Sequence, residues 1–364
     1  MATVNSTTTT TTVDFGAYVS LQEAADLILA TPTIRYCLEG EPGIGKSSIM
    51  KLLRKKLGDA YSYCYFDCAQ KDLGDIAMPW VDHNAGITRY FPNAILALHL
   101  NKPVVIMLDE FGKAPTPVQN MLHPMLEAHN PRLGDIPLPE GSIVFIATNL
   151  SSDGVGDNLK AHTGNRVTRI KVRKSNSREW LPWAVDNDVD SVVCAWVDRN
   201  PHCLSSYLDG DTSNDMIFNP RRVQAAFVSP RSLYRVSAII SARAKYSDNA
   251  LTAAMAGTIG PSAAKSMQAF IAFQDQLPRW ETIIKNPKAT TIPESPGACA
   301  VLVFGAVARV DKQTMDPFMD YVERLGEEWQ ATFCISMAKN TSKQHIAFGS
   351  KRFADWVSKN QDLL

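Results

Sequence analysis

The stretch LEGEPGIGKSSIM, Leu38 to Met50, sets three glycines, a proline, a lysine and two serines between an apolar run and a helical pattern. Gly40, Gly43 and Gly45 let the backbone curl so that successive N–H groups point at phosphate oxygens with no Cβ in the way. Pro42, Ile44 and Ser48 complete the loop. Lys46 would reach the β- and γ-phosphates, and the Ser47 hydroxyl would ligate Mg²⁺. Gly40, four residues, Gly45, Lys46 and Ser47 together have the spacing of a phosphate-binding P-loop. A glycine-rich turn matching by chance is the alternative. The context favours the loop: a short buried strand over Ile34–Leu38 precedes it. An amphipathic helix follows, carrying Ile49, Leu52, Leu53 and Leu57 and stopping at Gly58. The positive end of that helix dipole would add to the cradle.

A second stretch, KPVVIMLDEFGKA (Lys102–Ala114), runs apolar from Val104 to Leu108 and ends in two acids. Asp109 would hold the metal's hydration shell, and Glu110 would polarise an attacking water. Paired acids at a strand end are common in isolation, but a phosphate loop upstream favours the chemical reading. A third strand, SIVFIATN (Ser142–Asn149), ends in Asn149, placed to touch a γ-phosphate or the attacking water; a turn asparagine is its ordinary alternative. Ligands of open parallel sheets bind at the carboxyl ends of strands, so the three ends converge on one nucleotide in this reading.

Taken in this order, the P-loop, Asp109-Glu110 and Asn149 resemble the Walker A, Walker B and sensor-1 elements of the AAA+ ATPases. In TGNRV, Arg166 resembles the arginine finger that reaches a neighbouring subunit's nucleotide. The family more often has an apolar residue followed by Arg-Phe there, so Arg169 or Arg173 could take that place. In VSPRSL, Arg231 resembles the sensor-2 arginine of the lid, with a solvated helix-start arginine as the alternative. Within AAA+, the nearest resemblance is to the MoxR-type branch. Its two added hairpins would correspond to Asp72–Asn93 and Asn130–Ser142. Gly74, Pro79 and Gly86 independently oppose a helix in the first of these. The resemblance covers residues 20–245 with specific motifs. It implies an α/β fold: a P-loop αβα core with a five-stranded parallel sheet in the order 5-1-4-3-2, and a C-terminal all-α lid. It also implies ATP hydrolysis with Mg²⁺, a homo-oligomeric ring (a hexamer), a protein client, and a partner with a von Willebrand factor A-like domain.

Lys plus Arg and Asp plus Glu number 37 each, so the formal net charge is zero. A DNA-linked AAA+ ATPase, such as a clamp- or helicase-loader relative, is the competing reading. The charge balance and the two hairpins count against it, and no nucleic-acid partner is expected. Intact Lys46, Asp109 and Glu110 count against a switch that binds nucleotide without hydrolysis. Seven scattered cysteines suggest buried reduced thiols. No signal peptide is visible, and the longest apolar run, Ala298–Ala308, is too short to cross a bilayer; a cytoplasmic protein without membrane contact is expected.

The expected domains are a disordered leader over 1–12, a nucleotide-binding core over 13–175, a helical linker and lid over 176–290, and a helical extension over 291–364. Strands are expected at 34–38, 61–66, 104–108, 143–147 and 167–172. Ser20 with Glu23 forms a capping box for a helix over Ser20–Ala30. Leu233, Val236, Ile239, Ile240 and Ala244 form one apolar stripe, and Phe318, Tyr321, Val322, Leu325 and Trp329 another. Tyr90 and Phe91 either pack their hairpin onto the core, the simpler expectation, or grip a polypeptide.

Overall fold

A parallel strand covered on both faces must be apolar along its whole length, whereas a ribbon that leaves the sheet has no such demand. Both kinds occur in the computed structural model, which describes residues 17–150, 159, 161–274 and 277–360; the expected leader lies outside the described residues. The strands are β1 (Tyr18–Val19), β2 (Tyr36–Glu39), β3 (Ser62–Asp67), β4 (Ala77–Asp82), β5 (Ile87–Pro92), β6 (Val104–Asp109), β7 (Arg132–Leu133), β8 (Ile136–Pro137), β9 (Ile143–Thr148) and β10 (Thr168–Val172). Six of them form one sheet in the order β1-β10-β2-β9-β6-β3. With β2, β3, β6, β9 and β10 counted as one to five, the core order is the anticipated 5-1-4-3-2. The addition is β1, whose Tyr18 lies opposite Lys171 in a parallel pair. Two residues are too few to show a periodicity.

In the interior, Val104–Leu108 and Ile143–Ala147 are buried throughout, with Leu108 opposite Ile146. The edge strand β3 alternates instead: Cys64 and Phe66 point inward, and Tyr65 is exposed. Helices α1 (Leu21–Ala30), α2 (Ile49–Leu57), α3 (Thr116–Leu122) and α4 (Ala161–Gly164) belong with this sheet. Ser20 and Glu23 cap α1 reciprocally.

β4 and β5 pair antiparallel, as do β7 and β8. The expectation that Tyr90 and Phe91 pack onto the core is corrected here. They are 38% and 57% exposed, and Met78, Trp80, Val81 and Ile87 of the same ribbon are exposed too. Trp80 and Phe91 meet edge-on with ring centroids 6.4 Å apart. The ribbon's apolar side chains therefore stand largely in the open, with Trp80 and Phe91 the one ring pair between its strands among the described residues.

By contacts the chain divides into two compact units: Met1–Glu39, Ile49–Ala147 and Leu159–Arg173 in one, Gly40–Ser48, Thr148–Asn158 and Lys174–Leu364 in the other. The second unit is helical: α5 (Ser177–Asp186), α6 (Ser191–Arg199), α7 (Pro230–Ser241), α8 (Asp248–Ile259), α9 (Pro261–Gln274), α10 (Trp280–Lys285), α11 (Pro296–Arg309), α12 (Met315–Val322), α13 (Glu327–Lys339), α14 (Gln344–Phe348) and α15 (Lys351–Lys359). One apolar core gathers around Trp196, Leu233, Val236 and Ile240, and another around Phe318, Tyr321, Phe333 and Phe353. The second stripe is not a single helix face. Phe318, Tyr321 and Val322 lie on α12, Leu325 in the following turn and Trp329 on α13, because α12 ends at Val322 and the next helix starts after its N-cap, Gly326. No helix among the described residues is long and apolar enough to cross a membrane.

Candidate nucleotide site

The loop from Gly40 to Ser48 is built by its glycines. Gly43 has φ +78° and Gly45 φ +99°, a region that side chains with a Cβ rarely enter. Gly43 also has a spatial reason. A Cβ there would stand 2.7 Å from Ser229 Oγ and 3.0 Å from Ser229 Cβ. Ser229 is the buried N-cap of α7, and the Arg231 N–H donates to the Gly43 carbonyl at 3.1 Å. Ile44, fully buried, anchors the loop's middle, and Pro42 and Gly45 are half-buried.

Lys46 is 9% exposed, and its ammonium is held within the loop. Nζ donates to the carbonyls of Gly40 at 2.6 Å and Glu41 at 3.0 Å, and to Asn149 Oδ1 at 3.0 Å. Asn149 arrives at the end of β9, where Gly40 N–H donates to the Thr148 carbonyl at 3.3 Å. The structure thus brings Lys46 and Asn149 together. A 3-10 turn, Lys46–Ser48, leads into α2, and Ser48 Oγ donates to the Gly45 carbonyl at 2.6 Å. Half-buried Ser47 sits on this turn, where the positive end of the helix dipole favours an anion.

In the sheet unit, Asp109 ends β6. Its Oδ2 accepts a 2.6 Å hydrogen bond from the Tyr65 hydroxyl, which the outward side of β3 presents. Glu110 follows in the left-handed region at φ +50°. That costs a Cβ-bearing residue about 1 kcal/mol and persists where the surroundings demand it. Here its N–H donates to the Ala147 carbonyl at 2.9 Å and to Asp109 Oδ1 at 3.1 Å. Glu110 Oε1 accepts from Lys113 Nζ at 2.9 Å.

The arginines are dispersed. Arg166 pairs with Glu127 at 2.9 Å, both partly exposed. Arg169 pairs with Glu39 at 2.6 Å, and its carboxylate partner is buried at the end of β2. Arg231 opens α7 with an exposed side chain. Sequence reasoning missed one arrangement: the buried Glu41 of the loop lies 3.6 Å from the equally buried Lys174 and accepts a hydrogen bond from the Ser206 hydroxyl. The only signal for it was a charged residue inside the loop.

A strand, a left-handed glycine loop, a buried lysine and a helix start are the parts of a P-loop nucleoside-triphosphatase. The comparisons narrow this class. Residues 35–167 match the family model for the AAA domain, dynein-related subfamily. Over that segment the chain is similar to the AAA domains of AAA+ ATPases. Among solved structures it is similar to a protein from Cytophaga hutchinsonii provisionally described as an ATPase, at 16% identity and a TM-score of 0.35. That match covers 62% of this chain and 59% of the other, less than two thirds of its length. No curated protein gives a significant match.

Proposed function

We propose that the protein is a MoxR-type AAA+ ATPase that assembles into a ring and uses ATP hydrolysis to remodel or activate a partner protein. The observation that carries this reading is the ribbon β4–β5, inserted between β3 and β6 of the sheet and exposing Met78, Trp80, Tyr90 and Phe91. An apolar ribbon of this kind suits contact with a polypeptide.

The residues fit ATP and Mg²⁺. Gly43 and Gly45 leave the cradle free of side chains, and Lys46 supplies its fixed positive charge. Ser47 and Asp109 are the proposed metal ligands, with Gly40, Pro42, Gly43, Ile44, Gly45, Lys46, Ser47 and Ser48 enclosing the phosphates. A bound Mg²⁺ neutralises charge on the phosphate oxygens. Glu110 takes the proton of the attacking water, and Asn149 orients that water. Arg231 contacts the nucleotide from α7. Arg166, exposed ahead of β10, serves a neighbouring subunit's nucleotide and exchanges Glu127 for the transferring phosphoryl group. A von Willebrand factor A-like partner, implied by the resemblance to MoxR-type proteins, completes the assembly.

Mixing variants tests the ring. Arg166→Ala should bind ATP almost normally yet lose turnover by roughly three orders of magnitude. Lys46→Ala subunits mixed into it should restore part of that turnover, because an intact pocket then meets an intact arginine. Specific activity should also fall on dilution. Unrestored activity together with dilution-independent turnover contradicts the reading.

A further inference from the structure

The loop that holds Lys46 carries a second, unexplained charge. Glu41 follows Gly40 directly; its side chain is 2% exposed, as is that of Lys174, 3.6 Å away just beyond β10. The hydroxyl of Ser206 donates a hydrogen bond to Glu41 Oε1. Ser206 is itself fixed, as the N-cap of the turn Tyr207–Asp209: its Oγ accepts the Leu208 N–H at 3.0 Å, and its own N–H donates to Asp209 Oδ2 at 3.2 Å.

We propose that Lys174, Glu41 and Ser206 form an internal clamp that holds the first turn of the phosphate loop, and with it Lys46, in the shape that receives the phosphates of ATP. These are positioning residues, and the inference rests on the phosphate-loop reading of Gly40–Ser48. The link to Lys46 is direct. The carbonyl of Glu41 accepts the Lys46 ammonium at 3.0 Å, so fixing the Glu41 side chain fixes the peptide that holds the lysine.

Stability alone does not explain the pair. Buried opposite charges are often replaceable by apolar residues of similar volume without loss, since desolvation offsets their attraction. The Lys174 ammonium has no hydrogen-bond partner among the described residues, a poor arrangement if stability were the purpose. Burial pushes its pKa below the ordinary lysine range, while Glu41, Cys203 and Asp209 pull it back up. What the pair does supply is direction, because Glu41 is drawn to one place by two separate segments of the chain.

The test separates folding from positioning. Glu41→Gln with Lys174→Met removes both charges, so no lone buried charge remains and the melting temperature should stay near the wild-type value. The KM for ATP should nevertheless rise roughly tenfold to hundredfold, more than kcat falls, as a loop displaced by about an ångström would give. Ser206→Ala removes only the hydroxyl; it should raise KM in the same direction by a smaller factor with unchanged melting, and it carries the test if the double variant does not fold. Wild-type KM in a folded double variant, or in Ser206→Ala when the double variant is unfolded, overturns the clamp. Lys46→Ala, titrated alongside, isolates the premise. If it abolishes ATP binding while the clamp variants bind normally, only the clamp fails; if it binds ATP normally, the phosphate-loop reading falls and the clamp with it.

Discussion

Gly43→Ala should harm the protein in two measurable ways. The left-handed φ of +78° costs an alanine about 1–2 kcal/mol. The new Cβ would also lie 2.7 Å from Ser229 Oγ, too close to persist. Ser229 has little freedom to withdraw: it is buried, accepts the Ser232 N–H at 3.1 Å and caps α7. Displacing it forfeits a cap interaction of about 1 kcal/mol. The sum, about 2–3 kcal/mol, corresponds to roughly 30- to 150-fold in an equilibrium constant. It appears as weaker ATP binding if the loop yields, and as lower stability if the helix cap yields. Isothermal titration with ATP and urea unfolding on the same samples capture both. Adding Ser229→Gly removes the two crowding atoms at a cap position that tolerates glycine, so it should recover the steric share and leave the φ cost. Unchanged affinity together with unchanged stability in Gly43→Ala would refute the close-approach argument.

Burial pushes the thiols of Cys64, Cys194, Cys203 and Cys334 up from 9.0 to about 12. Their folded pKa lies above the unfolded one, so this contribution to stability is complete below about 9 and is lost as the pH rises toward about 12. The urea midpoint should therefore fall between about pH 8 and about pH 10.5, and less so in Cys194→Ala; an identical fall in that variant contradicts the assignment. On the ribbon, Trp80 is 62% exposed, so Trp80→Ser should change stability by no more than about 0.5 kcal/mol while weakening any polypeptide-stimulated ATPase rate. A large drop in melting temperature would show that the ribbon belongs to the core.

How much of this was legible in the sequence depends on the range of each interaction. β6 and β9 are apolar because both faces are buried, a local pattern that survives any context. The Gly40–Ser48 loop was legible because its residue types answer to backbone geometry within the loop itself. Interactions between distant segments were not. Tyr65 reaches Asp109 across paired strands, and Glu41 meets Lys174 and Ser206 from far along the chain. Neither pairing leaves a periodic trace. The stripe from Phe318 to Trp329 was legible as apolar but not as interrupted, since α12 ends at Val322 and α13 begins after Gly326 without breaking the spacing. Tyr90 and Phe91 read as core by type, and only the ribbon's isolation exposes them.

In the proposed mechanism Lys46 holds the nucleotide while Glu110 activates the water that attacks it. Steady-state phosphate release and ATP binding, measured together on Glu110→Gln and Lys46→Ala, test that division most directly. Glu110→Gln should bind ATP about as well as the wild type and release phosphate at least roughly a hundredfold more slowly, because binding survives while general-base catalysis is lost. Lys46→Ala should lose most of its affinity. Equal loss of binding in both variants, or wild-type phosphate release from Glu110→Gln, would contradict it.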